Sequence, residues 1–297
     1  MTLTSIRFRF VVLGTLLLLS KFSFAQNEVA GIPVVRPESV GMSTERLARI
    51  DDVVKKYVDA DLVAGAVTLV ARKGQVVQFK TYGHMDAENT RPMRKDAMFR
   101  IASLTKPMVS VGLMMLWEQG NFQLSDPVSK YIPSFENQLV STTSDASGKS
   151  GELVPVNRPS TIRDLLSHTA GLAGSFKGNT QHFRSTAAIQ PEDTLEIFVD
   201  RLAGLPLNYH PGEDWQYGTA TNVVGRLVEI FSGQKLNEFM RENILDPLEM
   251  HNTKFFINDD EDGRLMSHFR PGPDSNKIIE IDPGTNDSKL ISRNREV

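Results

Sequence analysis

The chain has 297 residues, 40% of them hydrophobic and 23% charged, with a formal net charge of -3. This composition is that of an ordinary globular protein with room for one large or two smaller domains. No basic stripe with interleaved aromatic residues occurs, so a nucleic-acid partner is not expected.

Cysteine is absent, which excludes disulfides and thiol catalysis. The six histidines form no HxH or HExxH pair, and a metal site is therefore not indicated.

The N-terminus, residues 1–25, has the pattern of a secretory signal peptide. Arg7 and Arg9 precede an apolar run at 10–19, and small residues lead to a cleavage site after Ala25. The run is too short to span a bilayer comfortably, so no stable membrane insertion is expected after cleavage. The mature protein is expected to be secreted or periplasmic in a bacterium, with an uncleaved N-terminal anchor as the alternative.

The first predicted elements of the mature chain are a helix and a β-hairpin. Apolar spacing over 43–59 indicates an amphipathic helix with Ser43 as its N-cap. Two β-rich runs follow at 64–71 and 76–82, on either side of the turn residues 72–74. A two-stranded hairpin is marginal by itself and needs further strands beside it.

Helical patterns dominate the chain after residue 98. The apolar spacing predicts a long helix that begins at Ser103 and continues to Gly120. Further helices are predicted at 161–172, 194–202, 219–231 and 236–244. The first of these starts with Thr161 and Asp164, which have the spacing of a capping box, and ends at Gly171.

Strand patterns are scarce in the rest of the chain. The small and polar residues 141–151 predict a surface loop. No strands comparable to the hairpin are predicted before residue 297, and residues 282–297 have the composition of an open loop. The chain is therefore expected to be a fragment whose remaining strands lie beyond residue 297.

The pattern S-x-x-K occurs twice, at Ser103–Lys106 and at Ser232–Lys235. In the second copy Gly233 is expected to end a helix, so that the lysine belongs to the next element. In the first copy the serine opens a predicted helix, in which residues i and i+3 share a face one turn apart. Only Ser103 and Lys106 are therefore expected to meet.

Ser103 is either a nucleophile or a helix cap. The N–H groups and the positive dipole of a helix start favour negative charge developing at the serine, and a lysine whose pKa is lowered by burial can accept its proton. In the alternative, Ser103 caps the helix and Lys106 is solvated, which for this motif taken alone is the more frequent outcome. The competing nucleophile motif G-x-S-x-G is absent from the sequence. A histidine-based triad stays open, although no histidine is singled out for it.

Tyr217 is the candidate for relaying a proton to the leaving group. It stands after a Pro-Gly turn and just before a predicted helix. A tyrosine near a cationic lysine can have its phenol pKa lowered and can then act as general base and acid. The alternative is an aromatic anchor packed beside Trp215. His168, in the segment LLSHTAGL, is interpreted as ordering a loop rather than as a catalyst or ligand.

Five stretches together resemble a known family. They are FRIASLTKPMVS, QLSDPVSKYIPSF, TIRDLLSHTAGL, PGEDWQYGTATNVVGRLVE and DPLEMHNTKFF. In this order they resemble serine hydrolases of the beta-lactamase superfamily, of the class C beta-lactamase, penicillin-binding-protein and family VIII carboxylesterase type. The resemblance covers 36–297, as a domain incomplete at its C-terminus. It implies an α/β sandwich, with a mostly antiparallel sheet flanked by helices and a helical subdomain inserted after the Ser103 helix.

Two departures from the family pattern matter, one in the second motif and one at Glu249. The second motif is Tyr217-Gly218-Thr219, without the asparagine with which lactamases and peptidases hold a substrate amide, and this favours the esterase branch. That branch often has Y-S-x followed by A-x-D, where this chain has Gly218 and Asn222. Glu249 replaces the glycine of the usual DPLGM and is expected to alter a turn. No third motif such as K-T-G or H-x-G follows Tyr217, in agreement with the strands expected beyond residue 297.

The resemblance implies a serine hydrolase that needs no cofactor, and the pattern of residues 1–25 predicts that it is exported. Ser103 would be the acylated nucleophile, Lys106 its general base and Tyr217 the proton relay, with the Ser103 N–H as one oxyanion donor. The predicted substrate is a small carboxylic ester, and the enzyme alternatives act on a beta-lactam or a D-Ala-D-Ala-type peptide. A non-catalytic protein that binds penicillin or cell-wall fragments, or an inactive fragment, is the alternative from a different class.

Overall fold

The computed structural model describes residues 28–29, 31–141, 151–174, 193–257, 259–273 and 277–282. The predicted signal peptide, most of the predicted loop at 141–151 and residues 283–297 lie outside this part of the chain. The described residues form two compact units, one of residues 28–99 and 259–282 and one of residues 100–257.

The first unit contains the predicted helix and hairpin. After the short strands β1 (Glu28–Val29) and β2 (Ile32–Pro33) come helix α1 (Thr44–Asp59) and the antiparallel strands β3 (Gly65–Arg72) and β4 (Gln75–Gly83). The side chain of Ser43 accepts a hydrogen bond from the N–H of Arg46 and caps α1 as predicted. Lys73 and Gly74 form the hairpin turn, both with positive φ, so the hairpin prediction is confirmed.

Asp51 joins α1 to β4. Its carboxylate accepts hydrogen bonds from Gln78 (3.0 Å), Lys80 (2.5 Å) and Tyr82 (2.5 Å), three alternate residues of one strand. The hydrogen bond from Lys80, and then the one from Tyr82, lowers the pKa of Asp51 below its usual value. This ion pair and its neighbours fix the helix across the inner face of the hairpin.

A further hairpin lies in this unit, although the sequence predicted no strands comparable to β3 and β4 after them. Strands β7 (His268–Pro271) and β8 (Ile278–Asp282) pair antiparallel, after a 3-10 helix at Asp259–Arg264. Sequence reasoning missed them because they are short and β7 carries no apolar alternation. Long-range contacts form this hairpin instead: the N–H of Ala87 donates to the carboxylate of Glu280, and Lys277 pairs with Asp61.

The second unit is mainly helical. Its helices are α2 (Thr105–Glu118), α3 (Ile162–Leu166), α4 (Leu195–Ala203), α5 (Ala220–Ser232) and α6 (Leu236–Met240). Two three-residue strands, β5 (Leu139–Ser141) and β6 (Leu153–Pro155), pair antiparallel beside them. Short 3-10 turns at Val128–Lys130 and Pro133–Phe135 form the proline-rich connection. The expected combination of antiparallel strands and helices is therefore present.

The core of this unit lies where α2 and α5 pack together. Fully buried side chains from both helices meet there: Val109, Leu113, Leu116, Val223, Val224, Leu227 and Val228. A glycine on each of these two helices allows α6 to pack closely against it, and the one on α5 also admits α4. A β-carbon at Gly112 would lie 3.0 Å from the sulfur of Met240, and one at Gly225 would lie 2.9 Å from Leu236 and 3.1 Å from Leu195.

Two helix boundaries differ from the prediction. The capping box of Thr161 and Asp164 is present, but α3 ends at Leu166 rather than at Gly171. The chain leaves the helix because His168 takes a left-handed conformation with φ of 59°, and the N–H of Thr169 then closes the turn on the carbonyl of Asp164 at 2.8 Å. The helix predicted at 236–244 is α-helical only over α6. The chain then continues in a π-helical turn, Arg241–Leu245.

Candidate active site

Ser103 lies in a 3-10 turn, Ala102–Leu104, that leads directly into α2. Ala102 has a φ of 43°, in the left-handed region that residues with a β-carbon seldom adopt. Leu104 occupies the N-cap position of α2, and no described side chain caps this helix. Ser103 therefore does not cap the helix, in contrast to the alternative interpretation. The Ser103 side chain is exposed at the start of the helix.

Lys106 meets Ser103 across the first turn of α2. Its ammonium donates to the hydroxyl oxygen of Ser103 at 3.3 Å, as expected for residues three apart on one helical face. The same ammonium lies 4.6 Å from the centre of the Tyr217 ring. The lysine is thus held between the two other candidate residues, at a point where a positive charge stabilises negative charge on either oxygen.

Tyr217 lies in the segment that precedes α5. The hydroxyl of Thr219, at the N-cap position of α5, donates to the carbonyl of Ala173 at 2.9 Å. Next to it a β-carbon on Gly174 would stand only 3.5 Å from the Cα of Gly218, so the two backbones run close together. These contacts hold the Tyr217 segment to the loop that follows α3.

The environment of Tyr217 favours its ionised form. Hydrogen bonding to Lys106, then hydrogen bonding to Ser103, and finally the charge of Lys106 lower the pKa of the Tyr217 phenol below 10. A phenol with a lowered pKa is a better proton acceptor near neutral pH than an ordinary tyrosine. The three residues singled out from sequence are therefore brought together with the charge pattern that proton transfer from serine requires.

His168 is a residue of this site that sequence reasoning left as a loop residue. Its ring centre lies 5.0 Å from that of Tyr217 and 6.2 Å from that of Trp215. Burial, and then the positive charge of Lys106, lower the pKa of His168. No pattern in the sequence predicts this contact, because it depends on the left-handed turn after α3.

The second S-x-x-K copy does not form such a site. The hydroxyl of Ser232 donates to the carbonyl of Val228 at 2.7 Å and accepts from the N–H of Gln234 at 3.2 Å. Gly233 ends α5 in a left-handed conformation, and Lys235 precedes α6 as its N-cap residue. The prediction that this lysine belongs to the next element is confirmed.

The described residues contain no group of three or more His, Cys, Asp or Glu side chains arranged to hold a metal ion. Within the same residues, every helix is too short or too polar to cross a membrane.

The structure combines antiparallel strand pairs with a mainly helical unit in which Ser103, Lys106 and Tyr217 meet at one helix start. Residues 50–286 match the family described as Beta-lactamase. The chain belongs to this family, and the fold that the sequence resemblance implied, a beta-lactamase/transpeptidase-like one, is confirmed.

Three similar proteins illustrate the range of the family. Esterase EstB of Burkholderia gladioli is 34% identical over 213 residues, which are 70% of this chain and 51% of EstB. Protein Rv1367c of Mycobacterium tuberculosis (strain ATCC 25618 / H37Rv) is 32% identical over 217 residues, or 73% of this chain and 54% of that protein. The solved structure of EstCE1, described as a hydrolase with promiscuous acyltransferase activity, has 28% identity and a TM-score of 0.65, over 80% of this chain and 60% of EstCE1. The chain spans about half the length of the curated relatives it matches.

Proposed function

We propose that this protein is an exported serine hydrolase that forms an acyl-enzyme on Ser103 and hydrolyses carboxylic esters. One observation carries the proposal: the ammonium of Lys106 contacts the Ser103 hydroxyl at 3.3 Å and lies 4.6 Å from the Tyr217 ring. The pattern of residues 1–25 supports the export part of the proposal.

In the first half-reaction, the Ser103 oxygen attacks the ester carbonyl while its proton passes to the Lys106–Tyr217 pair. Because Lys106 lowers the pKa of Tyr217, the phenolate of this pair forms more readily than that of an ordinary tyrosine and is the proposed acceptor of the serine proton. The backbone N–H of Ser103 is the proposed donor to the tetrahedral oxyanion. When that intermediate collapses, the bond to the alcohol oxygen breaks and the pair returns the proton to the leaving alcohol.

In the second half-reaction, water attacks the acyl carbon and gives its proton to the same pair. The bond to Ser103 then breaks, the acid leaves, and the serine regains its proton. Both halves therefore use one pair of groups as base and then as acid, in keeping with microscopic reversibility.

Esters are favoured over lactams and peptides for two reasons. The segment Tyr217-Gly218-Thr219 provides no asparagine at the place where the amide-cleaving branches hold a substrate amide. In addition, EstB is named an esterase and EstCE1 a hydrolase. Beta-lactamase or peptidase activity is the alternative that a substrate panel tests.

Transfer of the acyl group to an alcohol is a second candidate activity. EstCE1 is described as having promiscuous acyltransferase activity, and an alcohol replaces water in the second half-reaction without any further catalytic group. Ser103 is exposed, which is compatible with an acceptor larger than water. Adding an alcohol to an ester assay and measuring the new ester against the free acid tests this candidate.

The central experiment labels the full chain with a fluorophosphonate and maps the modified residue by mass spectrometry. We expect the label on Ser103, and its loss in Lys106→Ala but not in the matched control Lys235→Ala. Panels of short acyl esters, penicillins and D-Ala-D-Ala peptides then compare turnover. Folded protein that takes no label, or label on another serine, would contradict the proposal.

A further inference from the structure

The loop that follows α3 is bonded to the segment that carries Tyr217. The carbonyl of His168 accepts hydrogen bonds from the N–H of Gln216 (3.0 Å) and from the hydroxyl of Tyr209 (3.2 Å). One residue further on, the carbonyl of Thr169 accepts from the N–H of Gly212 at 2.8 Å. Through its backbone alone, His168 therefore sets the position of the residue that directly precedes Tyr217.

The side chain of His168 makes a second connection to the same tyrosine. The imidazole and the phenol ring of Tyr217 lie 5.0 Å apart with an angle of 35° between their planes. Trp215 also contacts both rings, at 6.2 Å and 6.4 Å, but 59% of its surface is exposed. Of the two neighbours, His168 is the more buried and the closer, and it is the better candidate for holding the phenol in place.

The charge state of His168 suits this role. Burial, and then the charge of Lys106, lower its pKa below 6.5, which favours the neutral form of the ring. The groups that face it are Lys106 from α2 and the two tyrosines, Tyr209 and Tyr217, from the segment before α5. Its buried Nδ1 finds no hydrogen-bond partner among the described residues, whereas its ring packs against that of Tyr217.

His168 also occupies a strained position, with a φ of 59°. Left-handed conformations cost free energy for residues with a β-carbon, least for Asn, Asp and His. A residue chosen for the turn alone would be Gly or Asn. Histidine therefore tolerates this turn, and the same position brings its ring to 5.0 Å from that of Tyr217.

We propose that His168 is a positioning residue of this site, whose imidazole ring holds the Tyr217 phenol against the ammonium of Lys106. The inference rests on the proposed function, in which Tyr217 relays protons. His168 acts only through Tyr217 and does not exchange protons with the substrate.

The test is a double-mutant cycle with two substitutions, His168→Asn and Tyr217→Phe. Asparagine keeps the left-handed turn and removes the ring. We expect His168→Asn to lower kcat by about 10- to 100-fold at unchanged KM, because a displaced catalytic group loses rate of that order. In the Tyr217→Phe background the same substitution should cause less than a twofold further loss. Equal losses in both backgrounds would overturn the inference.

A rescue variant separates ring packing from a structural role. His168→Phe retains a ring of similar size, and we expect it to recover most of the kcat per folded molecule, with thermal unfolding measured for every variant. Because Phe in a left-handed turn is strained, lower stability is expected for this variant. Folded His168→Phe with the low kcat of His168→Asn would overturn the packing role.

A measurement that does not depend on ester turnover, the pKa of Tyr217, separates a failure of the positioning role from a failure of the proposed function. The chain has five tyrosines, so the difference in phenolate absorbance between a protein and its Tyr217→Phe counterpart reports the pKa of Tyr217. We expect this pKa to rise in His168→Asn, as the phenol moves away from Lys106, and the rate of fluorophosphonate labelling to fall in parallel. A protein that takes the label but turns over no ester contradicts the proposed function alone. An unchanged Tyr217 pKa contradicts the positioning role alone.

Discussion

The two S-x-x-K segments have the same spacing and different structures. At Ser103–Lys106 the serine and the lysine share one turn, and their side chains are 3.3 Å apart. At Ser232–Lys235 the serine is the last residue of α5 and donates back to the carbonyl of Val228, while the lysine belongs to the start of α6. Identical residue types at identical separation therefore give a candidate site in one place and a helix end in the other.

The position of one left-handed residue accounts for the difference. In the first segment it is Ala102 (φ of 43°), before the serine, so the backbone from Ser103 onward is a continuous helix. In the second it is Gly233 (φ of 71°), between the serine and the lysine, where it reverses the chain direction. Residues i and i+3 meet only when the turn between them is unbroken.

The largest expected effect is that of removing each serine hydroxyl. Ser103→Ala should lower ester turnover by at least about 10³-fold, because no other nucleophile takes over the covalent step. Ser232→Ala removes only a hydroxyl bonded to the helix end and should leave turnover within twofold. Initial-rate assays on both variants, with circular dichroism to confirm folding, make the comparison. Comparable losses in the two variants would show that the structural distinction has no functional meaning.

Removing each lysine should give the next largest effect. Lys106→Met takes away the charge that contacts both Ser103 and Tyr217, and we expect kcat to fall by about 10²- to 10⁴-fold. Lys235→Met is the matched control and should retain full kcat. The measurement is kcat and KM for one short acyl ester. Full activity in Lys106→Met would assign the base role to another group.

The structural difference between the two S-x-x-K segments could be predicted from the sequence. The glycine after Ser232 predicts a helix end, and the apolar spacing after Ser103 predicts a helix, because both signals are local. The caps at Ser43 and Thr161 were predicted for the same reason. The hairpin of β7 and β8 was not, since contacts from Ala87 and Asp61, far away in the chain, hold it in place.

In the candidate site, too, contacts between residues close in sequence were predictable and contacts between distant residues were not. The meeting of Ser103 and Lys106 follows from helical spacing, whereas their meeting with Tyr217, 111 positions beyond Lys106 in the chain, needed the family resemblance. The contact of His168 with Tyr217 had no sequence signal, because it depends on a left-handed backbone that any of several residues adopts.

The pH dependence of kcat/KM and of Tyr217 ionisation gives another way to compare Lys106 with Lys235. Lys106 and Ser103 lower the pKa of Tyr217 below 10, so the phenolate is present at lower pH than in an ordinary tyrosine. If Tyr217 accepts the proton, kcat/KM should rise with pH and level off below 10. In Lys106→Met the pKa should move upward, so the difference absorbance of the phenolate should appear at higher pH. In Lys235→Met it should not move, and an upward shift there would mean that the effect is not local.

The smallest expected effect comes from exchanging one methyl group at each left-handed residue. Gly233→Ala meets no atom within 4 Å, so it should destabilise by backbone strain alone, by about 1 kcal/mol. Ala102→Gly relieves the same strain and should stabilise the fold by up to about 1 kcal/mol, less the entropy that glycine gains in the unfolded chain. Urea unfolding with unchanged m-values measures both. We expect the changes in the free energy of unfolding to have opposite signs in the two variants. The activity per folded molecule should stay constant in Gly233→Ala. It should fall in Ala102→Gly, because the loosened turn holds Ser103. Equal activity in the two variants would mean that the strain at Ala102 has no part in presenting the serine.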